Sequence, residues 1–525
     1  MNTSRSRRGF LKTATGVIAA TPFVGRLSRA KATPASPFDP SFGTASEALH
    51  AIRGGVISSR ELVAHTFKRI RQFNPKINAF VTLLEEPAMQ RAAQADEALA
   101  AGKPWGPLHG LPILIKDVFE TAGVRTTSGS KTLENYVPKN DAAAVARLKG
   151  AGAIVVGKTN LPEFASDVQS YNEVAGTTNN PWDLTKTPGG STGGGAAGLA
   201  AGFGFLELGS DIGGSIRTPC HFCGVYGLKP TLNVVPLQGH IPPPPGVVIG
   251  AVDLPVVGPL ARSAQDLRLE LEVIAGPTAP EAQAYTYRLL PPRGARLKDY
   301  RLGYVLDDPF CPVAPEVKEV LAGTVNALRK HGVGPEEGWP KGVDPQAIFD
   351  NYMRVLAGFF APFTSPEELK LMHESLESPW GYYARRWIEG AEGLHKDWLE
   401  QSGLRLKARQ AWQEYFQTHD AFLMPEAFVP AIPHDHRSSG RFFHEPRTIA
   451  TSQGPRPYGD IFRWISFATL TGNPAAVAPV GRTRGGLPVG IQIMGPYLED
   501  ATSIDVAGLL ADVIGGFQAP PGFAA

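Results

Sequence analysis

The stretch Thr187–Gly227, TPGGSTGGGAAGLAAGFGFLELGSDIGGSIRTPCHFCGVYG, constrains this chain more than any other. It holds two glycine-flanked serines joined by a segment of small residues. Gly189, Gly190, Gly193, Gly194 and Gly195 crowd Ser191, and Gly213 and Gly214 precede Ser215. Glycine this dense lets a backbone take positive φ and approach a ligand closely. Ala196 to Gly204 is nearly all Ala, Gly and Leu, so other elements can pack tightly on it. A flexible linker would lack Ile212, Ile216, Val225 and Leu228, which sit beside the glycines. Two hydroxyls held in such loops point to acyl chemistry. Gly189–Gly193, GGSTG, also matches the G-x-S-x-G nucleophile elbow. An elbow follows a hydrophobic strand, whereas Trp182 to Pro188 precede this serine and Pro188 cannot donate to a strand ladder. The elbow match is therefore weak.

At the N-terminus, Ser6-Arg7-Arg8-Gly9-Phe10-Leu11-Lys12 reads as a twin-arginine export pattern, S-R-R-x-F-L-K. The apolar run Ala14 to Val24, interrupted by Pro22, is shorter than the about 20 residues a bilayer span needs. Ala30-Lys31-Ala32 offers a small-x-small cleavage site, so residues 1–32 are expected to be a signal and 33–525 the mature domain. The expected location is the periplasm, with no membrane span in the mature form. The 525 residues are 43% hydrophobic with formal net charge +2, enough for a large core and too neutral to suggest nucleic acid as a partner. Three cysteines cannot build a disulfide framework. Cys220-His221-Phe222-Cys223 is a lone C-x-x-C without the second pair a zinc site needs, so both cysteines are expected to be structural.

From Thr44 to Ala101 the pattern is helical. Ser58-Ser59-Arg60-Glu61 resembles a capping box ahead of Leu62, Val63, Phe67 and Ile70. Asn74-Pro75 is expected to break that helix, and Pro87 to open an alanine-rich one ending near Gly102. In Gly110–Asp117, GLPILIKD, Ile113 to Ile115 read as a buried strand with Lys116 at its end. An ammonium beside such a run is costly unless paired or neutral. Ala142 to Lys149 read as a helix and Ala153 to Val156 as a strand. Gly152–Thr159 matches the P-loop pattern letter for letter, but a helix precedes it, strand formers fill it and Pro162 follows closely. Nucleotide binding is not expected there.

With Lys116, Ser191 and Ser215 in view, the chain resembles the amidase signature family of serine hydrolases. The resemblance runs over most of the mature chain: GLPILIKD, GTTNNPWD at Gly176–Asp183, PGGSTGG at Pro188–Gly194, DIGGSIRTP at Asp211–Pro219, GVYGLKPT at Gly224–Thr231, GPLARS at Gly258–Ser263, GNPAAVAPVG at Gly472–Gly481 and GLPVGIQIMGP at Gly486–Pro496. Thr192 departs from the serine or glycine usual there. The resemblance implies one α/β domain, a mixed sheet with helices on both sides. Its catalytic core would span about 105–275 and 460–515, with a variable substrate funnel over about 293–459. It makes Ser215 the nucleophile, Ser191 the bridging serine, often with a cis peptide, and Lys116 the base. The serines stand 24 positions apart, the family's spacing. The amides of Ile212, Gly213, Gly214 and Ser215 would form the oxyanion hole, with Asp211, Arg217 and Gly190 in support.

The residues make sense of these roles. A serine hydroxyl needs an adjacent base. Lysine serves only when neutral, and burial lowers its pKa from about 10.4. Ser191 can take a proton from Ser215 while giving its own to Lys116, and the return path protonates the leaving amine. The implied substrate is a small-molecule amide or ester, with no cofactor. The oligomeric state stays open, a homodimer among the options. The funnel stretch carries Trp380, Tyr382, Tyr383, Trp387, Trp398 and Trp412, which are expected mainly in the core. His434, Asp435, His436 and His444 are candidate metal ligands, but no periodic helix fixes their spacing and no metal is expected. Two other readings share this scaffold: the transferase component of a glutamine-dependent tRNA amidotransferase, and a non-catalytic binding protein.

Overall fold

A computed structural model describes residues 38–247, 253–378, 381–437 and 447–523. The export pattern, the cleavage site, Trp380 and His444 lie outside these residues. Eleven strands form one mixed sheet: β1 (Phe80–Leu83), β2 (Pro112–Lys116), β3 (Ile154–Thr159), β4 (Leu206–Asp211), β5 (Tyr226–Lys229), β6 (Val256–Ala261), β7 (Leu302–Tyr304), β8 (Glu336–Glu337), β9 (Ala421–Pro425), β10 (Ala475–Arg482) and β11 (Pro488–Met494). In space they run β1-β3-β2-β4-β6-β5-β10-β11-β9-β7-β8. β2 is parallel to both its neighbours, β3 and β4, while β4, β6, β5, β10, β11 and β9 pair antiparallel in turn. β7 and β8 extend the far edge in parallel with β9, so the stretch 293–459 contributes strands to the same sheet.

Helices cover both faces, which explains why the central strands are apolar runs with little alternation. Every residue of β2, β4, β5, β6, β9 and β11 is buried. The helix Gly193–Ala200 is buried along its whole length, the tight packing expected of its Ala and Gly content. A Cβ added at Gly194 would lie 2.4 Å from the Asn160 amide nitrogen, and one at Gly195 would lie 2.3 Å from a Glu207 carboxyl oxygen.

Local expectations hold in part. Ser58 and Glu61 form the capping box of the helix Ser59–Ile77. That helix runs through Pro75 instead of breaking there. Proline in the last turn removes a single backbone bond, and the real stop is Asn78, in the left-handed region at φ 56°, whose amide closes on the Asn74 carbonyl at 2.7 Å. The next helix begins at Glu85, which places Pro87 in its first turn, where its missing N–H costs nothing. β3 continues three residues past Val156, so Gly157, Lys158 and Thr159 are strand and not a phosphate loop. Lys158 is buried, 3.1 Å from Asp117.

Candidate active site

Lys116 ends β2 with no exposed surface. Its Nζ lies 2.6 Å from Ser191 Oγ and 3.2 Å from Ser210 Oγ. Burial drives its pKa down to about 7, against the opposing pull of Glu207 and Asp211. The sequence argument about a lysine beside an apolar strand thus leads to a neutral-capable amine touching one of the two predicted serines. Ser210 was not foreseen. It sits one residue before Asp211 on β4, and only the strand pairing brings it to Lys116.

Ser191 follows Gly190 through a cis peptide bond. A Cβ on Gly190 would lie 2.6 Å from the Gln169 nitrogen and 2.7 Å from the Asp167 carbonyl oxygen, so only glycine lets the loop pass. That neighbouring segment is itself braced. Arg447 Nη1 donates to Asp167 Oδ2 at 2.7 Å, Tyr458 Oη donates to Asp167 Oδ1 at 2.7 Å, and Gln169 exchanges hydrogen bonds with the Asp435 backbone.

The Ser215 loop hangs on a buried ion pair. Arg217 Nε and Nη2 donate to both oxygens of Asp211 at 3.0 and 2.9 Å. Its remaining N–H groups reach the Ile465 carbonyl, Gln492 Oε1 and Thr469 Oγ1, so all five donors are used. Burial pushes the Asp211 pKa up, but Arg217 and the Ile216 amide outweigh it and hold the carboxylate below its usual range. The two serine loops are joined directly, since the Thr192 amide donates to the Ser215 carbonyl at 3.0 Å. The departure at Thr192 therefore leaves the backbone tie intact. No hydrogen bond between Ser191 Oγ and Ser215 Oγ occurs among the described residues, yet both hydroxyls border the same cavity.

Of the four amides expected at the oxyanion hole, Gly214 is committed elsewhere: it donates to Asp211 Oδ1 at 3.0 Å. A buried carboxylate draws in every donor within reach. The amides of Ile212, Gly213 and Ser215 have no acceptor among the described residues. Tyr352, from the helix Pro345–Phe360, donates to the Ile212 carbonyl at 3.1 Å and steadies this turn. Sequence reading missed it, because its contact spans 140 positions.

The cavity above the serines has a volume of about 450 Å³. Its walls are Phe164, the run Leu237 to Val247, Pro255, Phe359 and Phe360, with Glu120 and His240 as the titratable wall groups beside Asp211. Burial lowers the His240 pKa to about 4, so its ring is neutral. A second chamber of about 230 Å³ shares Phe164, Pro242, Pro244 and Phe360 with the first and reaches Phe363, Met372 and Trp387. Of the aromatics singled out in the sequence, Tyr383, Trp387 and Trp412 are buried and Trp398 is exposed; among the described ones only Trp387 lines a chamber, the second. Cys220 and Cys223 are buried free thiols, and Cys223 donates to the Pro188 carbonyl at 3.4 Å. His436 stacks on Tyr171 at 3.8 Å, Asp435 pairs with Arg437, and no cluster fit to hold a metal occurs among the described residues.

A family model described as Amidase matches residues 61–504. The chain is 35% identical over 519 residues to the A component of glutamyl-tRNA(Gln) amidotransferase from Rhodopirellula baltica, covering 92% of this chain and 99% of that one. Among solved structures it resembles one described as an amidase, with TM-score 0.73, 28% identity and coverage of 90% and 100%. It also resembles the A component of glutamyl-tRNA(Gln) amidotransferase from Thermotoga maritima, with TM-score 0.68, 26% identity and coverage of 92% and 98%.

Proposed function

This chain belongs to the amidase family, and from that premise we propose that it hydrolyses a carboxylic amide through an acyl-Ser215 intermediate. The observation that carries the reading is the 2.6 Å contact between the buried Lys116 amine and Ser191, in a loop tied to that of Ser215. Neutral Lys116 takes the Ser191 proton as Ser191 takes that of Ser215. Ser215 Oγ bonds to the carbonyl carbon, and the π pair moves to the oxygen, which faces the amides of Ile212, Gly213 and Ser215. The C–N bond then breaks as the proton returns through Ser191 to the nitrogen. Water repeats the relay on the acyl group and releases the carboxylate. The Ser191–Ser215 hydrogen bond forms with substrate in place, as catalytic contacts often tighten only then.

The chamber walls favour an apolar or aromatic substrate without a carboxylate. Among the described residues lining both chambers there is no arginine or lysine to meet a carboxylate. A second reading, the amidotransferase component that releases ammonia from glutamine within a complex, is favoured by the names of the relatives. A panel of aliphatic, aryl and peptide amides, with glutamine alongside, separates the two. Turnover of apolar amides by the isolated chain supports the first reading. Glutaminase activity confined to a reconstituted complex supports the second. A fluorophosphonate probe should label Ser215; an adduct on Ser191 would overturn the mechanism. The S-R-R-x-F-L-K pattern supports export to the periplasm. Replacing Arg7 and Arg8 with lysine should leave precursor in the cytoplasm, and mature protein still reaching the periplasm would refute export by this route.

A further inference from the structure

Behind the base lies a buried acid that the relay does not use. Glu207, on β4, is fully buried. The parallel register pairs it with Leu114 on β2, two residues before Lys116, so Glu207 and Lys116 project from the same face of neighbouring strands. Thr159 on β3 stands opposite Lys116 and donates its hydroxyl to Glu207 Oε1 at 2.7 Å. Glu207 Oε2 has no hydrogen-bond partner among the described residues. Gly195, where any side chain would strike the carboxyl, leaves it room. A carboxyl inserted here has a cost, and three elements are shaped around it.

The surrounding charges are accounted for. Lys158 on β3 donates to the Phe119 carbonyl and Thr126 Oγ1, both at 2.8 Å, and pairs with Asp117. Asp211, on the same strand as Glu207, is bound to Arg217. Glu270, from the helix Ala264–Ile274, is buried with neither carboxyl oxygen partnered among the described residues, and burial pushes its pKa well up, so it stays uncharged. His240, on the cavity wall toward Lys116, is neutral. Of the two lysines whose charge acts on Glu207, Lys116 is thus the one not already committed to another carboxylate.

We propose that Glu207 is a positioning residue for the base: by taking up or releasing a proton beside Lys116, its carboxyl sets the charge and basicity of that amine. The inference rests on the role of Lys116 proposed above. Burial raises the Glu207 pKa to about 8, above the value of about 7 for Lys116. Burial of both groups thus favours the neutral pair, with the proton on Glu207 and the Lys116 amine free to accept one. A carboxylate in that place would hold Lys116 as ammonium. At higher pH Glu207 ionises, Lys116 becomes more basic, and the ammonium formed when Ser191 gives up its proton gains a counter-charge.

The test compares the parent with Glu207→Gln, which keeps the volume and an acceptor for Thr159. The rate of fluorophosphonate labelling of Ser215 is followed against pH. The parent should show two ionisations on its rising limb. Glu207→Gln should show one, at lower pH, with a plateau rate reduced about tenfold because the base is weaker. Should Glu207→Gln fail to fold, Thr159→Val serves: losing the hydroxyl that favours the carboxylate should move the upper ionisation to higher pH. Infrared difference spectra of parent minus Glu207→Gln give a readout independent of activity: above the ordinary carboxyl range the parent should carry a protonated-acid band that Glu207→Gln lacks, beyond the signal of the buried acids Glu270 and Glu426 common to both. Superimposable pH profiles, or the absence of that band, would overturn the proposal while leaving acyl-Ser215 chemistry standing. A parent that takes no label at any pH would overturn both.

Discussion

The serine loops and the chamber walls are built by opposite means. Around Ser191 and Ser215 the chain uses its smallest residues, and contacts of 2.3 to 2.7 Å to notional Cβ atoms show why nothing larger fits at Gly190, Gly194 and Gly195. The supporting Arg217 uses all five of its donors, which leaves the amides of Ile212, Gly213 and Ser215 as open polar groups of these loops among the described residues. The walls use large rings and prolines drawn from distant segments: Phe164, the run Pro242 to Pro245, Phe359 and Phe360. The first region fixes atoms to fractions of an ångström, which chemistry requires. The second offers shape and apolar surface, which tolerate exchange. Reaction type and substrate choice are therefore held in separate parts of the fold.

Substitutions can break this division at decreasing scale. Ser215→Ala should abolish both turnover and probe labelling, a loss on the order of 10⁶-fold by comparison with other serine nucleophiles, read by activity assay and mass spectrometry of the labelled peptide. Lys116→Ala should cost about 10⁴-fold as the general base is lost. In the parent, activity should climb as pH rises through about 7, because only the deprotonated amine accepts the Ser191 proton. Near-normal turnover in Lys116→Ala would end the Ser-Ser-Lys assignment.

Arg217→Met tests the support and not the chemistry. It strands Asp211 as an unpaired buried charge and should destabilise the fold by about 3–5 kcal/mol, measured by urea unfolding. A smaller effect belongs to the walls. Phe360→Ala should lower kcat/KM for bulky apolar amides about tenfold and leave small amides nearly unchanged. Equal losses on both would mean that the walls and the loops are not separable.

The same division explains what could be read in the sequence. Glycines forced by close contact leave a motif, so Ser191, Ser215 and Lys116 stand out in one chain. Wall residues leave none: Phe164 and Phe360 are ordinary aromatics until the fold brings them together. Ser210 and Tyr352 were missed because strand pairing and a contact across 140 positions create their roles. Glu207 was legible in principle. An acid between Leu206 and Leu208 in a buried strand raises the same question as a lysine after Ile115. The P-loop look-alike yielded to strand propensity at Ile154 to Val156, whereas Asn74-Pro75 misled because Pro75 removes one backbone bond near the helix end and the stop comes three residues later, at the left-handed Asn78. The resemblance put the Gly214 amide in the oxyanion hole, and only the fold shows that Asp211 draws that donor to itself.

The hydrogen bonds of Arg217 also bear on the order in which the chain is made. Three of its five acceptors, Ile465, Thr469 and Gln492, are translated about 250 to 275 residues after it. A nascent chain already carrying Lys116, Ser191 and Ser215 still lacks the partners that fix the Ser215 loop. Domains are completed as units during synthesis, and this loop must wait for β11. Until the ribosome has delivered β11, Lys116, Ser191 and Ser215 are present without the partners that fix the Ser215 loop, so the site matures late in synthesis.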